Sequence, residues 1–130
     1  MQKYKTTIRL DHTDAAGVVF YANLFVLAHD CFEDWLGQHI SLSELLGGNL
    51  QTPVVHTEAD YKLPMCLSDS ITIEMTIAKK QQTSFALQYT FMNSEGQQTA
   101  SVQTVHVAID SQTRRPVDVP PFLQDALAAL

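Results

Sequence analysis

The stretch DHTDAAGVVFYANLF (residues 11–25) places two aspartates and a histidine directly before an apolar, aromatic run. Aspartate favours turns and helix caps, so Asp11 and Asp14 have a structural explanation here. Their position also favours a chemical one, because they precede a predicted buried helix. The first N–H groups of such a helix lack partners and favour an oxyanion. A carboxylate beside that helix end suits acyl transfer.

Length and charge limit the classes of protein that this chain can represent. Its 130 residues, 45% of them hydrophobic, predict a single globular domain over residues 1–130. The net charge of −6 argues against nucleic-acid or anionic membrane partners. The chain has no signal-like start and no membrane-length apolar run, so we expect a cytoplasmic protein. Cys31 and Cys66 lack a CxxC spacing, and we expect both to be unpaired thiols.

Periodicity predicts a mixed α+β domain. Apolar residues recur at helical spacing from about Tyr21, and Gly37 is a candidate C-cap. A Ser41-x-x-Glu44 capping box predicts a short second helix over 41–46, and the proline pair at 120–121 predicts a terminal one. Strands are predicted at residues 3–10, 53–63, 70–77, 84–92 and 99–109. Because a hairpin turn, NSEG, joins the last two strands, the sheet is expected to be antiparallel, with the long helix on one face.

Several common kinds of active site have no support in the sequence. None of the five histidines has a metal-ligand spacing, so no metal site is expected. His106 is interpreted as a core or sheet-face residue, and His39 as a solvated residue after the helix. The chain also lacks GxSxG, GxGxxG and P-loop motifs, which argues against a serine nucleophile and against nucleotide phosphates.

The opening stretch resembles a known family. Its pattern, Asp-x-x-Asp-x-x-Gly-x-Val-x-x-x-Asn, is similar to that of the 4-hydroxybenzoyl-CoA thioesterase branch of the hotdog-fold superfamily. The segments HDCFEDWL (29–36) and PVVHTEADYKLP (53–64) are similar to 1,4-dihydroxy-2-naphthoyl-CoA thioesterases. The resemblance implies a hotdog fold, in which a curved antiparallel sheet wraps around a long helix. It also implies homodimers, commonly assembled into homotetramers, with active sites at the dimer interface.

The resemblance assigns roles to individual residues. It implies that Asp14 is the catalytic carboxylate and that the Tyr21 backbone N–H polarises the thioester carbonyl. Gly17 matches the turn glycine, and Asn23 matches a structural asparagine at the helix entry. His56 lies on the strand expected to line the pocket from the partner subunit.

Other residues near these positions are weaker candidates. Asp11 is interpreted as a supporting acid, and His12 and His29 receive no role beyond possible pocket neighbours. Another thioesterase branch uses a helix glutamate, which makes Glu33 and Asp30 secondary candidates. Four further side chains are candidates for lining the substrate pocket: Phe20, Phe25, Tyr61 and Met65.

The function implied is an acyl-CoA thioesterase that needs no cofactor, since coenzyme A is part of the substrate. An acyl-carrier-protein substrate stays open, as does the acyl group, because similar small thioesterases also serve fatty-acid synthesis, including polyunsaturated fatty-acid synthases. A hotdog dehydratase or hydratase and a non-catalytic acyl-binding module are the alternatives. Exposed bases are candidates for contacting the phosphates of CoA: Lys62, Lys79, Lys80, Arg114 and Arg115.

Overall fold

The computed structural model describes residues 1–130 and contains a five-stranded sheet with one long helix against it. A single 3₁₀ turn at Leu10–His12 separates the first strand from the long helix. The remaining elements are, in chain order, β1 (Gln2–Thr7), α1 (Asn23–Leu36), α2 (Leu42–Gly47), β2 (Leu50–Gln51), β3 (Val54–Tyr61), β4 (Ser70–Lys80), β5 (Ser84–Met92), β6 (Gln98–Val107), β7 (Ile109–Asp110) and α3 (Pro121–Ala128).

The sheet has the strand order β1-β4-β5-β6-β3, and every neighbouring pair is antiparallel. The turn between β5 and β6 is the predicted one, and Gly96 supplies its left-handed residue at φ +77°. Along β5 the predicted apolar face is buried, namely Phe85, Leu87, Tyr89 and Phe91. The α+β class and the antiparallel sheet are therefore confirmed.

Helix α1 lies against β1, β4 and β6 and supplies much of the core. Its wide apolar stripe is buried, as the periodicity predicts: Leu24, Leu27, Ala28, Cys31, Phe32, Trp35 and Leu36. Burial, with a smaller contribution from the nearby Asp34 carboxylate, raises the pKa of the Cys31 thiol to about 12. This thiol is therefore a packing group. Both cysteines are free, as predicted.

The ends of two predicted elements differ from the structure. Strand β1 stops at Thr7, short of the predicted end at residue 10, and Leu10 is 75% exposed because the chain turns into the 3₁₀ segment. Helix α1 begins at Asn23 rather than at Tyr21, since residues 20–23 form a tighter turn that feeds into it. The predicted end of α1 at Gly37 is confirmed.

The remaining short elements are α2 and the paired strands β2 and β7. Helix α2 is present, but the predicted capping box is not: the Ser41 hydroxyl lies 2.8 Å from the Ser43 hydroxyl and caps no N–H group. The two-residue strands β2 and β7 pair with each other and are too short to produce a periodicity. None of the three helices combines the length and the apolar character that crossing a bilayer requires.

His106 on β6 is a core residue, as predicted, and its ring lies between two phenyl rings. The ring centroids of Phe85 and Phe32 are 4.9 and 4.8 Å from that of the imidazole. His106 Nδ1 is 3.0 Å from the Thr52 carbonyl oxygen, and Nε2 is 2.9 Å from the Thr104 hydroxyl oxygen. Since a carbonyl only accepts, Nδ1 carries a proton and donates a hydrogen bond to Thr52.

The buried imidazole predicts a pH dependence of stability. Burial lowers the pKa of His106, the Thr52 carbonyl partly opposes this, and His29 adds to the lowering. The unfolded chain then binds more protons, so the free energy of unfolding falls as the pH drops below about 6.5. A His106→Gln variant is expected to flatten the fall in Tm between about pH 6.5 and pH 5, measured by thermal unfolding. The exposed His39→Gln control retains the wild-type slope, and an unflattened slope in His106→Gln would contradict the assignment.

Candidate active site

A tight turn presents Asp14 at the surface, between the 3₁₀ segment and α1. The Asp14 N–H donates to the Val18 carbonyl at 2.9 Å, and the Gly17 N–H donates to the Asp14 carbonyl at 3.0 Å. Gly17 has φ +78°, a left-handed conformation that side chains disfavour. The predicted break at Gly17 is therefore a closed turn with Asp14 at its start.

The two oxygens of the Asp14 carboxylate differ in their surroundings. Oδ1 accepts a hydrogen bond of 2.8 Å from the Ala16 N–H, which orients the carboxylate within its own turn. Oδ2 accepts no hydrogen bond from the chain, and the residue is exposed. One oxygen thus fixes the geometry while the other is available to a substrate or a water molecule.

The turn into α1 leaves two backbone donors unpaired. The Phe20 N–H donates to the His12 carbonyl at 3.0 Å, and the Asn23 N–H donates to the Phe20 carbonyl at 2.8 Å. Tyr21 and Ala22 lie between these two residues, and their N–H groups make no hydrogen bond to another backbone group. Unpaired donors at the positive end of a helix dipole form a site for an oxyanion.

Asn23 and His12 hold this turn in place. The Asn23 side-chain amide donates to the His12 carbonyl at 2.9 Å, which agrees with the structural role expected of Asn23. The His12 side chain is buried, and its Nδ1 accepts from the Arg9 N–H at 2.9 Å. His12, to which the sequence gives no role, is therefore a structural residue of the turn. The contact spans three residues and has the form of one half of a capping box, with His12 in the place that Glu or Gln usually takes.

Asp11 is engaged elsewhere. Its carboxylate makes a two-point ion pair with the Arg9 guanidinium, at 2.9 and 3.1 Å. The hydrogen bond from Arg9 lowers the pKa of Asp11. Of the two acids in the opening stretch, Asp14 is thus the one with an oxygen free for chemistry.

The loop after β3 supports the Asp14 turn and forms a cavity with it. The Val19 N–H donates to the Met65 carbonyl at 2.8 Å, and the Leu67 N–H donates to the Gly17 carbonyl at 3.0 Å. Between the turn and this loop lies a cavity of about 190 Å³. It is lined by Val18, Val19, Tyr61, Lys62, Leu63, Pro64, Met65 and Ala100.

The four candidate pocket residues divide into two pairs. Tyr61 and Met65 line the cavity. Phe20 and Phe25 do not: the Phe20 ring is 42% exposed and packs on Tyr21 with centroids 4.8 Å apart, while Phe25 packs against the core. Because Phe20 directly precedes the unpaired donors, its exposed ring remains a candidate contact for substrate.

His56 is not brought to the Asp14 of its own chain. It pairs with Val105 in the register, whereas Tyr61 pairs with the buried Ala100, so the two side chains leave opposite faces of β3. The two residues are five positions apart along the strand, or about 17 Å. The His56 Nε2 lies 3.7 Å from Glu58 at the exposed edge. Its contribution to a pocket through a partner subunit stays a prediction.

The acids of α1 lie too far along the helix to act at its start. Asp30 and Glu33 are about 10 and 15 Å from Asn23 along the axis, from the rise of 1.5 Å per residue. They line an open groove on the β1 side of the helix, together with Asp34 and Tyr4. In this chain the secondary candidates are therefore separate from the Asp14 turn.

Comparison with known proteins identifies the family. A family model described as the thioesterase-like superfamily matches residues 8–127, which include the Asp14 turn, α1 and the strands from β2 onward. The chain belongs to the thioesterase-like superfamily. The hotdog fold expected from the resemblance is confirmed, and the protein is a thioester hydrolase.

Individual members of the superfamily match almost the full chain. The 1,4-dihydroxy-2-naphthoyl-CoA hydrolase of Synechococcus elongatus is 33% identical over 128 residues, covering 96% of this chain and 93% of that protein. The hydrolase of the same name from Prochlorococcus marinus is 36% identical over 120 residues, covering 85% and 77%. A crystal structure of a 1,4-dihydroxy-2-naphthoyl-CoA thioesterase from Synechocystis matches with a TM-score of 0.92 at 29% identity, covering 99% and 96%. These matches favour the thioesterase over the dehydratase and acyl-binding alternatives.

The left-handed glycine at the turn generates a prediction with a built-in control. Gly17 and Gly96 have nearly the same φ, +78° and +77°, and a Cβ added at either meets no heavy atom within 4 Å. Alanine at each position is expected to lower the free energy of unfolding by about 1–2 kcal/mol, from left-handed strain alone. Only Gly17→Ala should also lower thioesterase activity, by about tenfold or more, because it changes the orientation of the Asp14 carboxylate. Denaturant titration and thiol-release kinetics test this, and equal activities in the two variants would contradict it.

Proposed function

We propose that this thioesterase hydrolyses an aromatic acyl-CoA of the 1,4-dihydroxy-2-naphthoyl-CoA class to the free acid and CoA thiol. The observation that carries the proposal is that one short loop, closed at the His12 carbonyl, holds both the free Asp14 oxygen and the unpaired N–H groups that precede α1. The names of the relatives support an aromatic acyl group. Such a substrate belongs to menaquinone or phylloquinone biosynthesis. We further propose that residues 1–130 act as one domain in the cytoplasm, where two free thiols fit a reducing environment.

The start of α1 is proposed to polarise the thioester carbonyl. The thioester carbonyl oxygen accepts a hydrogen bond from the Tyr21 N–H, at the positive end of the helix dipole. Attack on the carbonyl carbon places a negative charge on this oxygen, and a fixed donor stabilises that charge more than it stabilises the ground state. Tyr21 is thus proposed to act through its backbone, and its side chain is not required for this step.

Asp14 supplies the other half of the mechanism. Either its free oxygen attacks the carbonyl carbon, giving a mixed anhydride that water then cleaves, or it removes a proton from the attacking water. In both routes the carbon–sulfur bond breaks, the thiolate leaves and takes up a proton, and water supplies the new oxygen of the acid. The steps draw only on Asp14, backbone donors and water, so the proposed reaction needs no cofactor.

The open edge of the sheet supports a homodimer, which we propose assembles further into a homotetramer. Strand β3 is the last strand of the sheet, and along it Val54 and Val55 are 46% and 60% exposed. An exposed apolar edge strand is a template for pairing with a second chain. The cavity of about 190 Å³ is also smaller than a typical ligand pocket of roughly 300 Å³ or more. A partner that supplies further pocket wall, including His56, is consistent with both features.

Lys62 favours a phosphate-bearing substrate at this site. It lines the cavity and carries the positive charge there, whereas Lys79, Lys80, Arg114 and Arg115 lie exposed on other segments. A phosphate of CoA or of a pantetheine arm is the chemical partner expected for such a side chain. We propose CoA as the carrier because the named relatives act on CoA thioesters, and an acyl-carrier-protein substrate is the second candidate.

The proposal predicts that Asp14→Asn abolishes most turnover while leaving the fold intact. Asparagine keeps an oxygen for the Ala16 N–H, so the turn and the Tm are expected to stay close to those of the wild type. Loss of the nucleophile or base is expected to lower kcat by about a hundredfold or more. Asp11→Asn, which breaks only the surface pair with Arg9, should retain most of the wild-type rate. Near-wild-type turnover by Asp14→Asn would refute the mechanism.

The substrate panel for this experiment separates the alternatives. Thiol release is measured on 1,4-dihydroxy-2-naphthoyl-, benzoyl- and palmitoyl-CoA, with binding measured by calorimetry. We expect the highest kcat/KM on the naphthoyl substrate. A preference for palmitoyl-CoA would instead assign a fatty-acyl thioesterase. Hydration of an enoyl-CoA would favour the hydratase alternative, and binding without turnover would favour the acyl-binding module.

A further inference from the structure

Tyr61 makes a contact that a pocket-lining residue does not need. It is the last residue of β3, and its phenol hydroxyl donates to the Tyr21 carbonyl oxygen at 3.0 Å. The two residues are 40 positions apart in the chain. The contact therefore joins the end of the edge strand to the turn that precedes α1.

The backbone beneath Tyr61 is firmly anchored. Tyr61 pairs with Ala100 on β6, and the N–H groups of Lys62 and Leu63 both donate to the Thr99 carbonyl, at 2.9 and 3.0 Å. Thr99 and Ala100 are buried. The phenol thus extends from a backbone fixed to β6, an interior strand of the sheet, and it has the rigidity required to position another group.

The carbonyl that accepts this hydrogen bond belongs to the peptide unit between Tyr21 and Ala22. The same carbonyl accepts a second, longer bond from the Leu24 N–H, at 3.3 Å. The N–H of that peptide unit is that of Ala22, one of the two unpaired donors. A hydrogen bond accepted by the oxygen of a peptide fixes its plane and makes its N–H a stronger donor.

We propose that Tyr61 is a positioning residue for the reaction: its hydroxyl fixes the Tyr21–Ala22 peptide, so that Ala22 provides a second N–H donor beside that of Tyr21 for the thioester oxygen. This inference rests on the proposed function and adds to it both a second donor and a residue that orients it. Oxyanion sites built from two backbone donors hold the developing charge in a defined direction.

The protonation state of Tyr61 is suitable for this role. Partial burial raises the pKa of its phenol, and the neighbouring Tyr21 adds to the rise. The hydroxyl is therefore protonated at neutral pH and donates to the carbonyl. The ring itself lines the cavity, so the role of the hydroxyl has to be separated from that of the ring.

Tyr61→Phe makes this separation because it removes the hydroxyl and keeps the ring. We expect kcat on the best substrate of the panel to fall about tenfold, the equivalent of one hydrogen bond, with KM changed less than twofold. In the substrate-free protein, the amide signal of Ala22 in ¹⁵N–¹H spectra should move upfield, since its peptide loses a hydrogen bond at the carbonyl. Tyr4→Phe, which removes a phenol hydroxyl on β1, is the matched control and should change neither quantity.

The outcomes are distinct. A higher KM with unchanged kcat would make Tyr61 a substrate-binding residue and would overturn the proposal, as would unchanged kinetics. An Ala22 signal that does not move would also overturn it, because the hydrogen bond would not exist in solution. If the wild type released no thiol from any thioester while the Ala22 signal moved as expected, the proposed function would fail and the contact itself would stand.

Discussion

The hydrogen bonds accepted by the His12 carbonyl are the constraint on which the site depends. This oxygen receives the Phe20 N–H at 3.0 Å and the Asn23 side-chain amide at 2.9 Å. Together they close residues 12–23 into a loop that contains both the Asp14 turn and the turn into α1. The ring of His12 is buried and fixed by the Arg9 N–H, which gives the accepting carbonyl a defined position. Without this closure, the carboxylate and the unpaired donors would be independent surface groups.

The loop is also held from outside, by the segment that follows β3. Met65 accepts from Val19 and Tyr61 donates to Tyr21, so the segment between the Asp14 turn and α1 is tied to the end of β3 and to the loop that follows it. The same strand is the edge at which we propose a second chain to pair. Assembly and the geometry of the site are thereby linked through one element. Helix α1 fills the core with its apolar stripe, while Tyr21 and Ala22, which precede it, stay at the surface, so a stable element positions exposed donors.

The features that the sequence predicts are those that depend on a local pattern of residues. The alternation in β5, the stripe of α1 and the motif around Asp14 each carry their signal within a few residues. The ranking of Asp14 above Asp11 agrees with the pair that Asp11 forms with Arg9. The predicted capping box at Ser41 is wrong, because the Ser41 hydroxyl pairs with the Ser43 hydroxyl instead of with a helix N–H group. The contact between Tyr61 and Tyr21 spans 40 residues, and it depends on how the sheet register places a strand end, which periodicity does not encode.

In the proposed mechanism, the start of α1 receives the thioester oxygen while Asp14 faces the carbonyl carbon. The most direct test is a crystal structure with an aromatic acyl-CoA analogue in which a methylene group separates the carbonyl from the sulfur, so that it cannot be hydrolysed. We expect the carbonyl oxygen at about 2.7–3.1 Å from the Tyr21 nitrogen, with the free Asp14 oxygen facing the carbonyl carbon. A carbonyl oxygen bound away from the Tyr21 and Ala22 N–H groups would contradict it.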